Sequence, residues 1–164
     1  MKFLERPAIL DSPEVSGSEI YQAFASEVQS DLYVLAHATS PFLTPGTVDS
    51  CVGTVIGGNF DSALTVSRHQ TFVRDSKGNP INFSPEHMPP TQDLLPIFTD
   101  TSGLYLFDAE CAASGRRTGS RPFINEVRLP EALDIDDEED FLLAEILANH
   151  LEGFMGNNST NNQV

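Results

Sequence analysis

Leu32-Tyr33-Val34-Leu35-Ala36 is a short run that is apolar on both of its faces. A strand with one wet face alternates apolar and polar residues, because successive side chains point to opposite sides. A run without that alternation must be covered on both sides, which suits a central strand of a parallel sheet. The run stops at Thr39-Ser40-Pro41, where proline has no N–H to give a ladder. In α/β sheets ligands collect at the carboxyl ends of strands. His37, Thr39 and Ser40 are therefore the first residues to consider for binding, since an imidazole and hydroxyls there can hydrogen-bond a sugar or ribose. By itself the signal is weak, because a histidine after an apolar strand is as often a structural hydrogen-bonder.

The flanking segments alternate helical and extended patterns. Ser16-Gly17-Ser18-Glu19 offers capping side chains ahead of Ile20, Ala23, Phe24 and Val28, which are close to helical spacing. Thr44 and Pro45 suit the cap and first residue of a second helix, with Val48, Cys51, Val52, Val55 and Ile56 as its apolar face and Gly57-Gly58 closing it. Ser62 to Val66 and Gly103 to Phe107 read as strands, Asp108 to Ser114 as a short helix, and Phe123 to Val127 as a further extended segment. Asp75-Ser76-Lys77-Gly78-Asn79, between Phe72-Val73 and Ile81-Asn82-Phe83, is hairpin-turn chemistry. The prolines from Pro85 to Pro96 make that stretch an irregular loop. Asp136 with Glu139 three residues later forms a capping-box pattern for a last helix that Gly153 ends. Residues 1–155 are thus expected to form one α/β domain with a largely parallel sheet and a hairpin excursion. Residues 156–164 are expected to be a disordered polar tail.

Charge narrows the partners. With 24 acidic and 9 basic residues the chain carries a formal charge of -15, which opposes binding to a nucleic-acid polymer. It leaves room for a small anion held through a divalent cation or through a few gathered arginines. No apolar run reaches the roughly 20 residues of a membrane span, and the N-terminus lacks a signal-peptide stretch, so a cytoplasmic protein is expected. Cys51 and Cys111 are far from any other metal-ligating pattern and read as small buried hydrophobes.

Leu133-Asp134-Ile135-Asp136 is the segment with the sharpest chemistry. If it is extended, both carboxylates point to one side, with Cα atoms about 6–7 Å apart. Two such oxygens can hold one Mg²⁺, with waters and substrate phosphate completing its octahedron. The plain alternative is a solvated acidic run that caps a helix, and Asp137 to Asp140 read that way.

Taken together, Val34-Leu35-Ala36-His37-Ala38-Thr39-Ser40-Pro41, Gln92-Asp93-Leu94-Leu95-Pro96, Ser102-Gly103-Leu104-Tyr105-Leu106 and Asp134-Ile135-Asp136 resemble the acylneuraminate cytidylyltransferase family. Arg6-Pro7-Ala8-Ile9-Leu10 is similar to a further stretch of it. The resemblance implies a Rossmann-like nucleotidyltransferase fold and transfer of CMP from CTP to a nonulosonic (sialic-acid-like) keto-sugar acid, with Mg²⁺ on Asp134 and Asp136. It implies that His37, Thr39, Ser40, Gln92, Ser102 and Tyr105 line the sugar pocket, and that the chain dimerises. Arg116 and Arg117 would face a carboxylate or a neighbouring subunit, or else be exposed arginines with loose surface contacts. His37 stands where the family has glutamine, Ser102 where it has asparagine, and Pro89-Pro90-Thr91 where it often has an arginine. The family's N-terminal strand and phosphate-gripping basic loop have no counterpart before Arg6. That implies a domain lacking its first strands, with an exposed sheet edge and impaired turnover. The other reading is a non-catalytic sugar-acid-binding or dimerisation module derived from the same family.

Overall fold

In the computed structural model, residues 4–159 are described. Helix α1 (Gly17–Glu27) starts at Ser16, whose hydroxyl accepts from the Glu19 N–H while the Glu19 carboxylate takes the Ser16 N–H at 2.8 Å. That reciprocal pair satisfies donors that have no partner within the helix. Strand β1 is Leu32–Ala36, the expected run. Helix α2 (Pro45–Ile56) is capped by Thr44, which accepts from the Thr47 N–H at 3.2 Å, and has proline in its first turn. Strand β2 (Ser62–His69) is followed by the hairpin turn, where the Asp75 carboxylate accepts from the Lys77 and Asn79 N–H groups. The long strand β3 (Ile97–Asp108) leads straight into α3 (Ala109–Ala113), then β4 (Pro122–Glu126) and α4 (Glu138–Ser159).

The four strands lie in the order β1-β3-β2-β4. The expected largely parallel sheet is wrong: β3 runs antiparallel to both neighbours, and β2 with β4 is the one parallel pair. The physical reason is the connection between β2 and β3. A parallel neighbour needs a crossover, usually helical, whereas an antiparallel one can return through a turn. Residues 70–96 supply the hairpin turn and a short 3-10 turn at Thr91–Asp93, with no α-helix. Burial on both faces does not fix direction either: β2 is buried on both faces from Ser62 to Val66 with one antiparallel and one parallel neighbour.

Helices cover the two faces of this sheet. On one, Tyr33, Leu64, Val66, Tyr105 and Phe107 pack with Cys111 and Ala112 of α3 and with Tyr21 and Ala25 of α1. On the other, Ala63, Leu104 and Leu106 meet Cys51 and Val55 of α2. Each fully buried large side chain contributes about 1.5–3 kcal/mol through removal from water. Both cysteines are free and buried, as expected. β1 is not the central strand that its apolar run suggested: it lies at the sheet edge, antiparallel to β3, with Val34 48% exposed and an apolar cleft of about 300 Å³ between it and α1.

The last helix differs from expectation at both ends. Asp137, not Asp136, caps it, accepting from the Glu139 and Asp140 N–H groups at 2.9 and 3.0 Å. Asp140 returns the favour by accepting from the Asp136 and Asp137 N–H groups. A run of acids offers several equivalent caps, so the pattern slips by one residue. The helix is continuous through Gly153 to Ser159; residues 160–164 of the expected tail lie outside the described residues. None of the helices is long and apolar enough to cross a membrane, among the described residues.

Candidate functional site at the end of β1

The site is built where β1 runs out beside an irregularity in β3. The His37 N–H donates to the Gly103 carbonyl at 3.2 Å, one step beyond the β1 ladder. The chain then turns back, with the Ser40 N–H on the His37 carbonyl at 3.2 Å and the Leu43 N–H on the Ser40 carbonyl at 3.3 Å. Opposite, the β2–β3 register shifts between Leu64 and Val66, whose partners are Tyr105 and Asp100. The extra β3 residues bulge out around Ser102, which sits at φ 59°. That left-handed conformation costs a non-glycine residue about 1–2 kcal/mol, so the surroundings must enforce it. They do so through Thr65, whose hydroxyl oxygen accepts from the Leu104 N–H at 3.1 Å and from the Thr101 hydroxyl at 2.8 Å.

Tyr105 closes the bulge from the α1 face. Its hydroxyl donates to Asp100 Oδ2 at 3.1 Å. Its ring lies 6.2 Å from that of His37, and the Arg117 guanidinium sits 4.3 Å above its centroid. Burial pushes the Tyr105 phenol above its ordinary range; Arg117 pulls against that and Asp100 adds to it. The phenol therefore stays a donor at neutral pH.

Residues 127–136 close over this end of the sheet. The Ile135 N–H donates to the Thr39 carbonyl at 2.9 Å, and Glu131 Oε1 accepts from the Thr44 N–H and hydroxyl at 2.9 and 3.1 Å. Asp134 is thereby held against the turn that carries Ser40. Among the described residues, the buried side-chain oxygens and nitrogens without a hydrogen-bond partner are two: Ser40 Oγ and Asp134 Oδ1. Buried polar atoms are nearly always paired, and these two lie on segments joined by the Ile135–Thr39 hydrogen bond.

His37, Thr39, Ser40, Ser102, Tyr105 and Asp134 are thus gathered at one end of the sheet, and Arg117 joins them through Tyr105. Asp136 follows two residues on, exposed, beside the α4 cap. Gln92 and Arg116 are not drawn in. Gln92 is exposed on the 3-10 turn, and its carbonyl accepts from Gln70. Arg116 folds back on its own loop toward Ser114 and, at 3.9 Å, toward Glu110. Sequence reasoning missed Asp100, Glu131 and the Thr65–Thr101 pair. Thr65, a hydroxyl inside the apolar Ala63-Leu64-Thr65-Val66 run, was the one of these with a readable signal.

Asp134 and Asp136 fit a divalent cation in the donors they present. They are hard carboxylate oxygens, neither is in an ion pair among the described residues, and one oxygen is buried without a partner there. No group of three or more metal-ligating side chains occurs among the described residues. A magnesium ion needs no more than one or two carboxylates when phosphate and water complete its shell.

No family model matches the sequence, and no curated protein matches it closely. Solved structures do match. A 4-diphosphocytidyl-2C-methyl-D-erythritol synthase from Anaerococcus prevotii DSM 20548 superposes with a TM-score of 0.55 at 12% identity, covering 86% of this chain and 67% of that one. A CMP:2-keto-3-deoxy-manno-octonic acid synthetase in complex with CTP superposes with a TM-score of 0.54 at 12% identity, covering 86% of this chain and 70% of that one. The chain has the fold of these synthetases. The likeness is one of architecture, and it does not single out the acylneuraminate branch to which the sequence motifs point.

Proposed function

We propose that this chain is a cytidylyltransferase-type domain that transfers CMP from CTP to a keto-sugar acid of the nonulosonic class. The observation that carries the reading is the pair of unpartnered buried oxygens, Ser40 Oγ and Asp134 Oδ1, on two segments whose sequence resembles cytidylyltransferases. The fold adds weight, because the two synthetases described above are named for cytidylyl products. In this reading Asp134 and Asp136 would hold Mg²⁺, which supplies charge neutralisation at the phosphates.

The chain's own residues would position the reactants. The sugar's anomeric hydroxyl attacks the α-phosphorus of CTP; the new P–O bond forms as the bond to pyrophosphate breaks and the hydroxyl proton is lost. Ser40 and Thr39 would orient the sugar or ribose hydroxyls, and His37 and Tyr105 would wall the pocket. Arg117, whose guanidinium sits 4.3 Å over the Tyr105 ring, would turn its N–H groups to the sugar carboxylate, a planar pairing that suits guanidinium. Most of the rate acceleration would then come from orientation and electrostatics.

Calorimetric titration with CTP and Mg²⁺ tests the reading. Metal-dependent binding is expected, and Asp134→Asn with Asp136→Asn is expected to weaken it at least about tenfold, the loss of charge-assisted contacts. Binding that the double variant retains, or none by a folded chain, would sink the proposed site.

A further inference from the structure

The carboxyl ends of β2 and β4, the one parallel pair in the sheet, open on a cavity of about 320 Å³ lined by Ser67, Arg68, His69, Glu126, Arg128 and Ala132, among others. In a chain of formal charge -15 this cavity brings together two arginines and a histidine against one carboxylate. Another polar cavity, beside β2 and α3, shows the opposite balance, with Asp61, Asp108 and Glu110 around Arg116.

The cations here are largely uncommitted. Arg68 is exposed, and among the described residues its side chain makes no ion pair or hydrogen bond. Arg128 reaches only Glu126, at 3.5 Å with its side chain 86% exposed, a contact that solvent screens to little net value. His69 is oriented by Thr99, whose hydroxyl lies 2.9 Å from Nε2, and the ladder sets its backbone opposite Ile97. The backbone beneath is fixed as well, because the Val127 N–H continues the parallel pairing onto the Val66 carbonyl at 2.9 Å.

We propose that this cavity is a binding site for a small oxyanion of the phosphate type, clasped by Arg68 and Arg128 with His69 at its side. A guanidinium fork matches tetrahedral oxyanions, giving two parallel N–H···O bonds where an ammonium gives one. The surrounding acidic field repels anions at long range, so binding depends on these local cations. Ala132 lines the cavity two residues before Asp134, and one loop therefore borders both sites. The proposal does not rest on the nucleotidyl-transfer reading.

The test is calorimetry of the full chain with inorganic phosphate, without metal, at low ionic strength. Saturable binding on the order of millimolar is expected, weakened by added salt. Arg68→Gln and Arg128→Gln are each expected to weaken it about tenfold, the loss of a charge-assisted hydrogen-bond pair. Arg121→Gln removes the same charge elsewhere and is expected to leave binding intact, as is Asp134→Asn. Both cavity arginines are exposed, so neither variant should disturb the fold, which circular dichroism verifies. No binding by a folded chain, or an equal loss on Arg121→Gln, overturns the proposal, the second outcome marking plain charge attraction. A loss on Asp134→Asn also overturns it, by moving the anion to the other site.

Discussion

Thr65 and Ser40 flank the same glycine. A Cβ placed on Gly103 would lie 3.4 Å from the hydroxyl oxygen of each, and the two residues are 2% and 5% exposed. Thr65 Oγ1 nevertheless takes two hydrogen bonds, from Leu104 and Thr101, while Ser40 Oγ has no partner among the described residues. Equal burial and equal chemistry thus serve opposite ends. The first hydroxyl replaces a stretch of broken ladder and holds the β3 bulge in shape. The second holds no part of the ladder and lies in the turn after β1, to which Ile135 is hydrogen-bonded through Thr39. Gly103 leaves room for both, since a Cβ there would already touch the two oxygens and a longer side chain would press on them.

The largest effect is expected from breaking the partnered side. Thr65→Val keeps the shape but leaves the Leu104 N–H without an acceptor, and leaves the Thr101 hydroxyl with only the Thr65 carbonyl at 3.2 Å. Stranding a buried donor costs about 1–3 kcal/mol, so urea unfolding should show about 2 kcal/mol less stability. A neutral result would mean that the bulge is held by Tyr105 and Asp100 instead.

Asp61 extends the comparison to a charged group. It accepts from the Ser62 and Ser120 hydroxyls and from the Ser120 and Arg121 N–H groups. Burial works to raise its pKa, but those bonds outweigh it and hold the carboxyl below its ordinary value of 3.8. A carboxylate with a depressed folded pKa contributes stability that is fully present above its unfolded pKa and is lost as pH falls through the folded one. Stability should therefore decline as pH drops below about 4, and Asp61→Asn should flatten that decline. An unchanged acid limb would place the sensitivity on other carboxylates. The effect is smaller than that of Thr65→Val because Asp61 is only partly buried.

What could be read from the sequence divides along the same line. The Ser16–Glu19 capping box, the Thr44-Pro45 helix start and the limits of β1 were legible because each is decided within a few residues of itself. Strand direction was not, since the apolar run of β2 looks the same beside a parallel or an antiparallel neighbour. The β3 bulge is a matter of register between segments far apart, and no local pattern in Asp100-Thr101-Ser102-Gly103 announces it. Asp134 and Ser40 were singled out by their motifs and carry the proposed site, whereas Asp100 meets Tyr105 only once the bulge brings it there. Gln92 entered by resemblance alone, and the fold leaves it on an exposed turn.

Ser40→Ala is the smallest expected change in stability and the sharpest test of the comparison. Deleting a hydroxyl that bonds into the fold costs about 1 kcal/mol or more. Deleting one that is buried without a partner relieves an uncompensated desolvation, so the variant should lie within about 0.5 kcal/mol of the parent, on either side. The same substitution removes a group that the proposed ligand would use, and titration with CTP, Mg²⁺ and a keto-sugar acid should weaken while unfolding stays put. A destabilisation above about 1.5 kcal/mol would show that Ser40 bonds into the fold as Thr65 does. The two hydroxyls beside Gly103 would then be of one kind, and the argument for a ligand at the end of β1 would rest on Asp134 alone.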